Sequence, residues 1–173
     1  MKKNFIIALC CVALSFTACH KPDPEPEPED NVDYTENYVG NYIGTFDFVI
    51  TSMNNQPSGL TYQLDNISMD IAKGTEFNAI TATVTVDNQM RQTTGTAKKA
   101  KADFEPVHLV IDESHHANPY LLNLDLLMEG TKADSDTLNI VGTVSGNGNF
   151  TFMGQETILN EVSGTLSGKL VKQ

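Results

Sequence analysis

Beyond residue 40 the apolar side chains of this chain recur at every second position, and that period limits its fold more than any composition figure does. In "NYIGTFDFVI" Tyr42, Phe46, Phe48 and Ile50 share one face with Gly44, while Thr45 and Asp47 point the other way. Alternation of this kind belongs to a half-buried strand, because a helix would need apolar residues three and four apart. The pattern returns at Leu60, Tyr62 and Leu64, then changes phase at Asp65-Asn66 to place Ile67, Met69 and Ile71 together. A phase change at Asp-Asn implies a tight turn or a bulge. Further faces are Ile80, Ala82, Val84 and Val86, then Val107, Leu109 and Ile111. "YLLNLDLLM" reads as a strand on Tyr120, Leu122, Leu124, Leu126 and Met128, although its leucines also tolerate a short helix. The last face carries Val162, Leu166 and Leu170 with Gly164 and Gly168 between them, as where a sheet closes on itself. In "DTLNIVGTVSGNGNFTFM" the pair Asn147-Gly148 predicts a hairpin between two strands. About eight to ten strands with short turns imply an all-β, antiparallel fold, either a β-sandwich or an up-and-down barrel.

All twelve glycines lie at or beyond Gly40, and four of the seven prolines lie in "PDPEPEPE", residues 22 to 29, so the domain is read as 37–173. Every second residue of that stretch lacks an amide proton and forces its predecessor into extended space. An extended spacer of roughly 3.1 Å per residue, stiffened by like charge, is therefore expected. Ahead of it stand Lys2 and Lys3, an apolar run from Phe5 to Phe16, and small residues before Cys19, the layout of a secretory signal. The run is too short to cross a bilayer, which needs roughly 20 residues. "FTAC" resembles a bacterial lipobox, which implies a signal peptide over 1–18 and acylation of Cys19, with the tether over 19–36. Cys10 and Cys11 fall before that cut, so no cysteine remains for a disulfide in the domain.

The net charge is −11, and from Asn37 onward 15 acids face 8 bases, a net −7 that argues against nucleic-acid partners. The one basic cluster, Lys98, Lys99 and Lys101, reads as a solvated turn.

"YVGNYIGTFDFVI", with Gly40, Tyr42 and Gly44, resembles the opening strand of the calycin-like, or lipocalin-like, β-barrel domains of Bacteroidetes lipoproteins. "YQLDNISMDI", "GTVSGNGNFTF" and "SGTLSGKLVK" are similar in style to later parts of those domains, so the likeness spans roughly residues 38 to 171. It implies a barrel rather than a sandwich. Lipocalins proper carry a tryptophan where this chain has Tyr42, and the chain has no Trp. The acid-rich stretch after Cys19 is similar to a Bacteroidetes export signal, which implies the outer face of the outer membrane; the alternative is a solubilising linker on the periplasmic face.

An eight-stranded barrel is either filled by its own side chains or holds one small ligand. Tyr42, Phe46 and Phe48 line the cavity in the second case and are plain core in the first, the commoner fate of such a face. In "IDESHHANPY" the side chains of Asp112, Glu113, His115 and His116 are potential metal ligands, with His108 upstream. Adjacent histidines on a strand diverge, and the spacing of a standard metal site is missing, so a polar loop is expected with no metal or other cofactor. Asp134 and Asp136 have a calcium-like spacing without the glycine and distal glutamate of an EF-hand loop. Asp136-Thr137-Leu138 resembles a Bacteroidetes O-glycosylation triplet, which makes Thr137 a candidate acceptor. No nucleophile elbow or phosphate loop occurs, and Asp112 and Glu113 diverge on a strand. The expectation is a non-catalytic module, held to the membrane by lipid at Cys19, that binds a small apolar ligand or glycan fragment. The alternatives are an accessory subunit of an outer-membrane complex with a filled barrel, and a hydrolase built from dispersed acids and histidines.

Overall fold

The computed structural model describes residues 31–86, 89–113 and 120–173. A compact unit runs from Val32 to Gln173. It therefore takes in residues that composition assigned to the spacer: Asp33 pairs with Lys73, and the Tyr34 amide donates to Asn78 Oδ1 at 2.7 Å.

After a 3₁₀ turn, Thr35–Asn37, nine strands follow: β1 (Gly40–Met53), β2 (Gln56–Lys73), β3 (Ala79–Val86), β4 (Gln89–Ala97), β5 (Ala102–Phe104), β6 (Val107–Asp112), β7 (Tyr120–Lys132), β8 (Thr137–Phe152) and β9 (Gln155–Lys172). Every pairing is antiparallel, and each strand pairs with the next in sequence except β5 with β6; two further pairings close the sheet. β1 pairs with β9, and β5 pairs with β7. The result is an all-β sheet wound into a ring, the connectivity of an up-and-down meander.

β5 and β6 lie end to end along one edge of β7, with Ala102 opposite Gly130 and Val107 opposite Leu126. Glu105-Pro106 separates them, since proline has no amide to offer the ladder. β4 follows β5 for three residues, Gly95 to Ala97, and has no backbone ladder with β6. Side chains stitch that gap instead. Gln89 donates to the Val110 carbonyl at 2.6 Å and accepts from the Val110 amide at 3.1 Å; Arg91 Nε reaches the His108 carbonyl at 3.0 Å, and Thr93 the Glu105 carbonyl at 2.8 Å.

The alternating face turns inward on every long strand. Tyr42, Phe46, Phe48, Ile67, Met69, Leu124 and Leu170 are buried in one continuous core, each worth about 1.5–3 kcal/mol relative to exposure. The phase change at Asp65-Asn66 is a bulge within β2: Gly44 faces Ile67 and Phe46 faces Leu64, with Asn66 at φ 57°. "YLLNLDLLM" is strand throughout. The hairpin expected at Asn147-Gly148 is not there. β8 runs through both residues with a bulge between Gly146 and Gly148, and the chain reverses at Met153-Gly154, φ 50° and 76°.

Candidate functional site

The two ends of the ring differ. At the amino-terminal end the interior is sealed by Tyr38 and Tyr42, both fully buried. The Tyr42 hydroxyl donates to the Tyr38 carbonyl at 2.9 Å, and the Tyr38 hydroxyl donates to the Lys98 carbonyl at 2.9 Å. Burial first, then the negative charge of Asp136, raises the Tyr42 phenol above its usual value.

At the opposite end the core stops short of the rim. Met53 (end of β1), Leu60 (β2), Tyr120 and Leu122 (β7), Phe150 (β8) and Leu159 (β9) surround an apolar cavity of about 250 Å³. Gly146 and Gly148 face Leu124 and Leu122 across the β7–β8 ladder and bring no side chain of their own. Neither glycine tolerates one. A Cβ on Gly148 would lie 2.1 Å from the Leu121 carbonyl oxygen, and one on Gly146 2.0 Å from that of Asn123.

The rim is fixed by hydrogen bonds. Asn54 and Asn55 both hold positive φ, 49° and 61°, as a two-residue hairpin of the right twist demands. The Asn54 side chain accepts from the Asn160 amide at 2.7 Å and donates to the Ile158 carbonyl at 2.9 Å, tying the β1–β2 turn to β9. Beside the cavity the Tyr62 and Tyr120 rings meet edge to face, centroids 6.2 Å apart, and the Tyr62 hydroxyl donates to the Glu113 carboxylate. Burial, then the Glu113 charge, raises the Tyr120 phenol. This arrangement suits an apolar guest of modest size whose one polar group stays at the rim.

The residues singled out from sequence lie elsewhere. Tyr42, Phe46 and Phe48 pack in the core, and none of them lines this cavity. Cys19, His115 and His116 lie outside the described residues. His108 is exposed on β6, with Nδ1 3.1 Å from Asp125 Oδ1. Among the described residues no three His, Cys, Asp or Glu side chains come together as a metal site. Asp134 accepts the amides of Asp136 (2.9 Å) and Thr137 (2.6 Å), so its carboxylate closes the β7–β8 turn. Thr137 opens β8 and is 8% exposed. Lys98 and Lys101 share Asp103, and Lys101 also reaches Glu129 at 2.7 Å, in the β4–β5 turn. Sequence reasoning placed Leu60, Tyr120 and Leu122 on inward faces without marking them as a site.

No family model matches the chain, and no curated protein matches it either. Among solved structures it is similar to a protein of unknown function of the DUF3598 family from Nostoc punctiforme, at 12% identity and TM-score 0.42, covering 79% of this chain and 48% of that one. It is also similar to a protein of unknown function from Bacteroides ovatus, at 16% identity and TM-score 0.31, covering 78% of this chain and 47% of that one. The chain thus spans about half the length of the structures it matches.

Proposed function

We propose that this chain is a lipid-anchored envelope protein carrying a calycin-like domain that holds a small apolar ligand in the cavity at the rim. The cavity lined by Met53, Leu60, Tyr120, Leu122, Phe150 and Leu159 carries this reading. Its volume, about 250 Å³, lies between the ~150 Å³ that accommodates benzene and the several hundred of a drug-sized site, so a ring or the end of an acyl chain is the matching guest. Apolar burial drives capture: ~200 Å² removed from water is worth on the order of 5 kcal/mol before the losses of association. A glycan fragment fits less well, because the lining offers its several hydroxyl groups a single polar side-chain group, the Tyr120 phenol.

The anchor at Cys19 and an outer-membrane, surface-facing address are part of the same reading, supported by the lipobox-like "FTAC" and the Pro-acid spacer. The chain joins the ring at the end opposite the cavity, since β1 runs from Gly40 to Met53, about 40 Å of strand. The module is proposed to be non-catalytic. An accessory role in a complex is the second reading, favoured by Met153 and Ile158, 87% and 67% exposed on the β8–β9 hairpin at the same end.

The test is titration with N-phenyl-1-naphthylamine, whose fluorescence rises in apolar surroundings. A saturable rise with about one site per chain is expected, and Leu159→Trp should abolish it while circular dichroism stays unchanged. An equal rise in that variant, or none in the parent chain, rejects the cavity as the site.

A further inference from the structure

A second pocket, of about 490 Å³, opens at the amino-terminal end of the ring. Three lysines from three separate segments reach it: Lys99 from the β4–β5 turn, Lys132 from the end of β7 and Lys172 from the end of β9. In a domain where 15 acids face 8 bases, this convergence runs against the average. Lys73, Lys98 and Lys101 each pair with a carboxylate. Lys132 and Lys172 do not do so among the described residues. Lys132 donates to the Ser135 carbonyl at 2.6 Å and lies 3.4 Å from the Tyr42 hydroxyl; Lys172 donates to the Val39 carbonyl at 2.7 Å.

Both ammonium groups sit over the Tyr42 ring, 5.1 and 6.0 Å from its centroid. The ring attracts each of them, but they repel one another. Burial, then the charge of Lys172, holds the Lys132 ammonium below the ordinary lysine value, with Asp136 and Asp134 opposing. Glu36 also stands on the wall, and the Asp134 carboxylate is engaged by the amides of its own turn. An ammonium has three donors, and neither Lys132 nor Lys172 spends all of them on these carbonyl and hydroxyl oxygens.

We propose that this pocket is an anion site for a phosphate or phosphate-ester group, held by Lys99, Lys132 and Lys172. A dianion relieves the repulsion between the lysines, and lysine serves phosphate as a compact point charge. The volume exceeds that of a bare ion and leaves room for the esterified group, beside the neutral side chains of Asn37 and Ser135.

Two sources share this chemistry, a soluble phosphate ester and a phospholipid headgroup. The chain from His20 onward contains the whole compact unit and serves for both arms. In the first arm, glycerol 3-phosphate is titrated while lysine side-chain resonances are followed by NMR. The signals of Lys99, Lys132 and Lys172 should shift and saturate, and Lys99→Gln and Lys172→Gln should each weaken binding about tenfold, while Lys169→Gln leaves it unchanged. Lys99→Gln also isolates charge from folding, because that side chain lines the pocket and, among the described residues, makes no ion pair as Lys73, Lys98 and Lys101 do. In the second arm, vesicles of phosphatidylcholine with and without phosphatidylglycerol are sedimented with the protein. Pocket-dependent binding to the anionic vesicles alone assigns the headgroup as the source, and a response to glycerol 3-phosphate alone assigns a soluble ester. Absence of saturation in both arms, or equal weakening by Lys169→Gln, overturns the proposal.

Discussion

Single residues decide how each end of the ring is finished. The Tyr42 hydroxyl is buried and donates to the Tyr38 carbonyl, so Tyr42→Phe should cost about 1–2 kcal/mol in urea denaturation, with the ring otherwise packed as before. Asp33 is held down to about 2 from 3.8, first by its bond to Lys73 and then by those to Thr35. A carboxyl with a lowered folded-state value stabilises the fold above its unfolded value, and that contribution is lost as pH falls from near 4 through about 2. Asp33→Asn should therefore lower the melting temperature at neutral pH, and its difference from the parent chain should close across that interval. A difference that persists unchanged down to pH 2 would remove the Lys73 pairing as its source.

Strands carry the next level, and here glycine and glutamine matter more than leucine. A Cβ on Gly44 would lie 2.0 Å from the Lys169 carbonyl oxygen, where β1 crosses β9 beside the bulge, whereas one on Gly59 meets nothing within 4 Å. Gly44→Ala should cost about 2–3 kcal/mol by overpacking, and Gly59→Ala should stay within about 0.5 kcal/mol. Across the β4–β6 gap, Gln89→Leu strips both partners from the Val110 peptide groups, a loss of about 1–3 kcal/mol. Hydrogen exchange should then show loss of protection at the Val110 amide but not along β7–β8. The same gap explains what the sequence hid. β4 presents Gln89, Arg91 and Thr93 where other strands present apolar residues, because Gln89 and Arg91 reach across to the β6 backbone and Thr93 to the Glu105 carbonyl just before it, so no alternation marks it. β5 is three residues long and too short to show a period. Asn147-Gly148 imitates a hairpin, yet neither residue takes the positive φ such a turn needs; Met153, an unfavoured residue for it, does so beside Gly154. The long strands were legible because each buries one whole face.

For the molecule as a whole, closure and filling are separate matters. The ring closes through β1–β9 and β5–β7, and its middle is filled by Tyr42, Phe46, Phe48 and their neighbours. The aromatic face of β1 was legible as inward-facing, but its distance from the open rim was not, since that depends on how the strands are staggered around the ring. The cavity draws its lining from five strands, β1, β2, β7, β8 and β9, which alternation along any one strand does not display. Under the function proposed above, an apolar guest fills this space in the cell. Native mass spectrometry of the protein purified from its own host tests it most directly. A discrete added mass beyond any acyl modification, lost on organic extraction and absent from Leu159→Trp, is expected; a bare polypeptide mass, or the same adduct in that variant, rules the guest out.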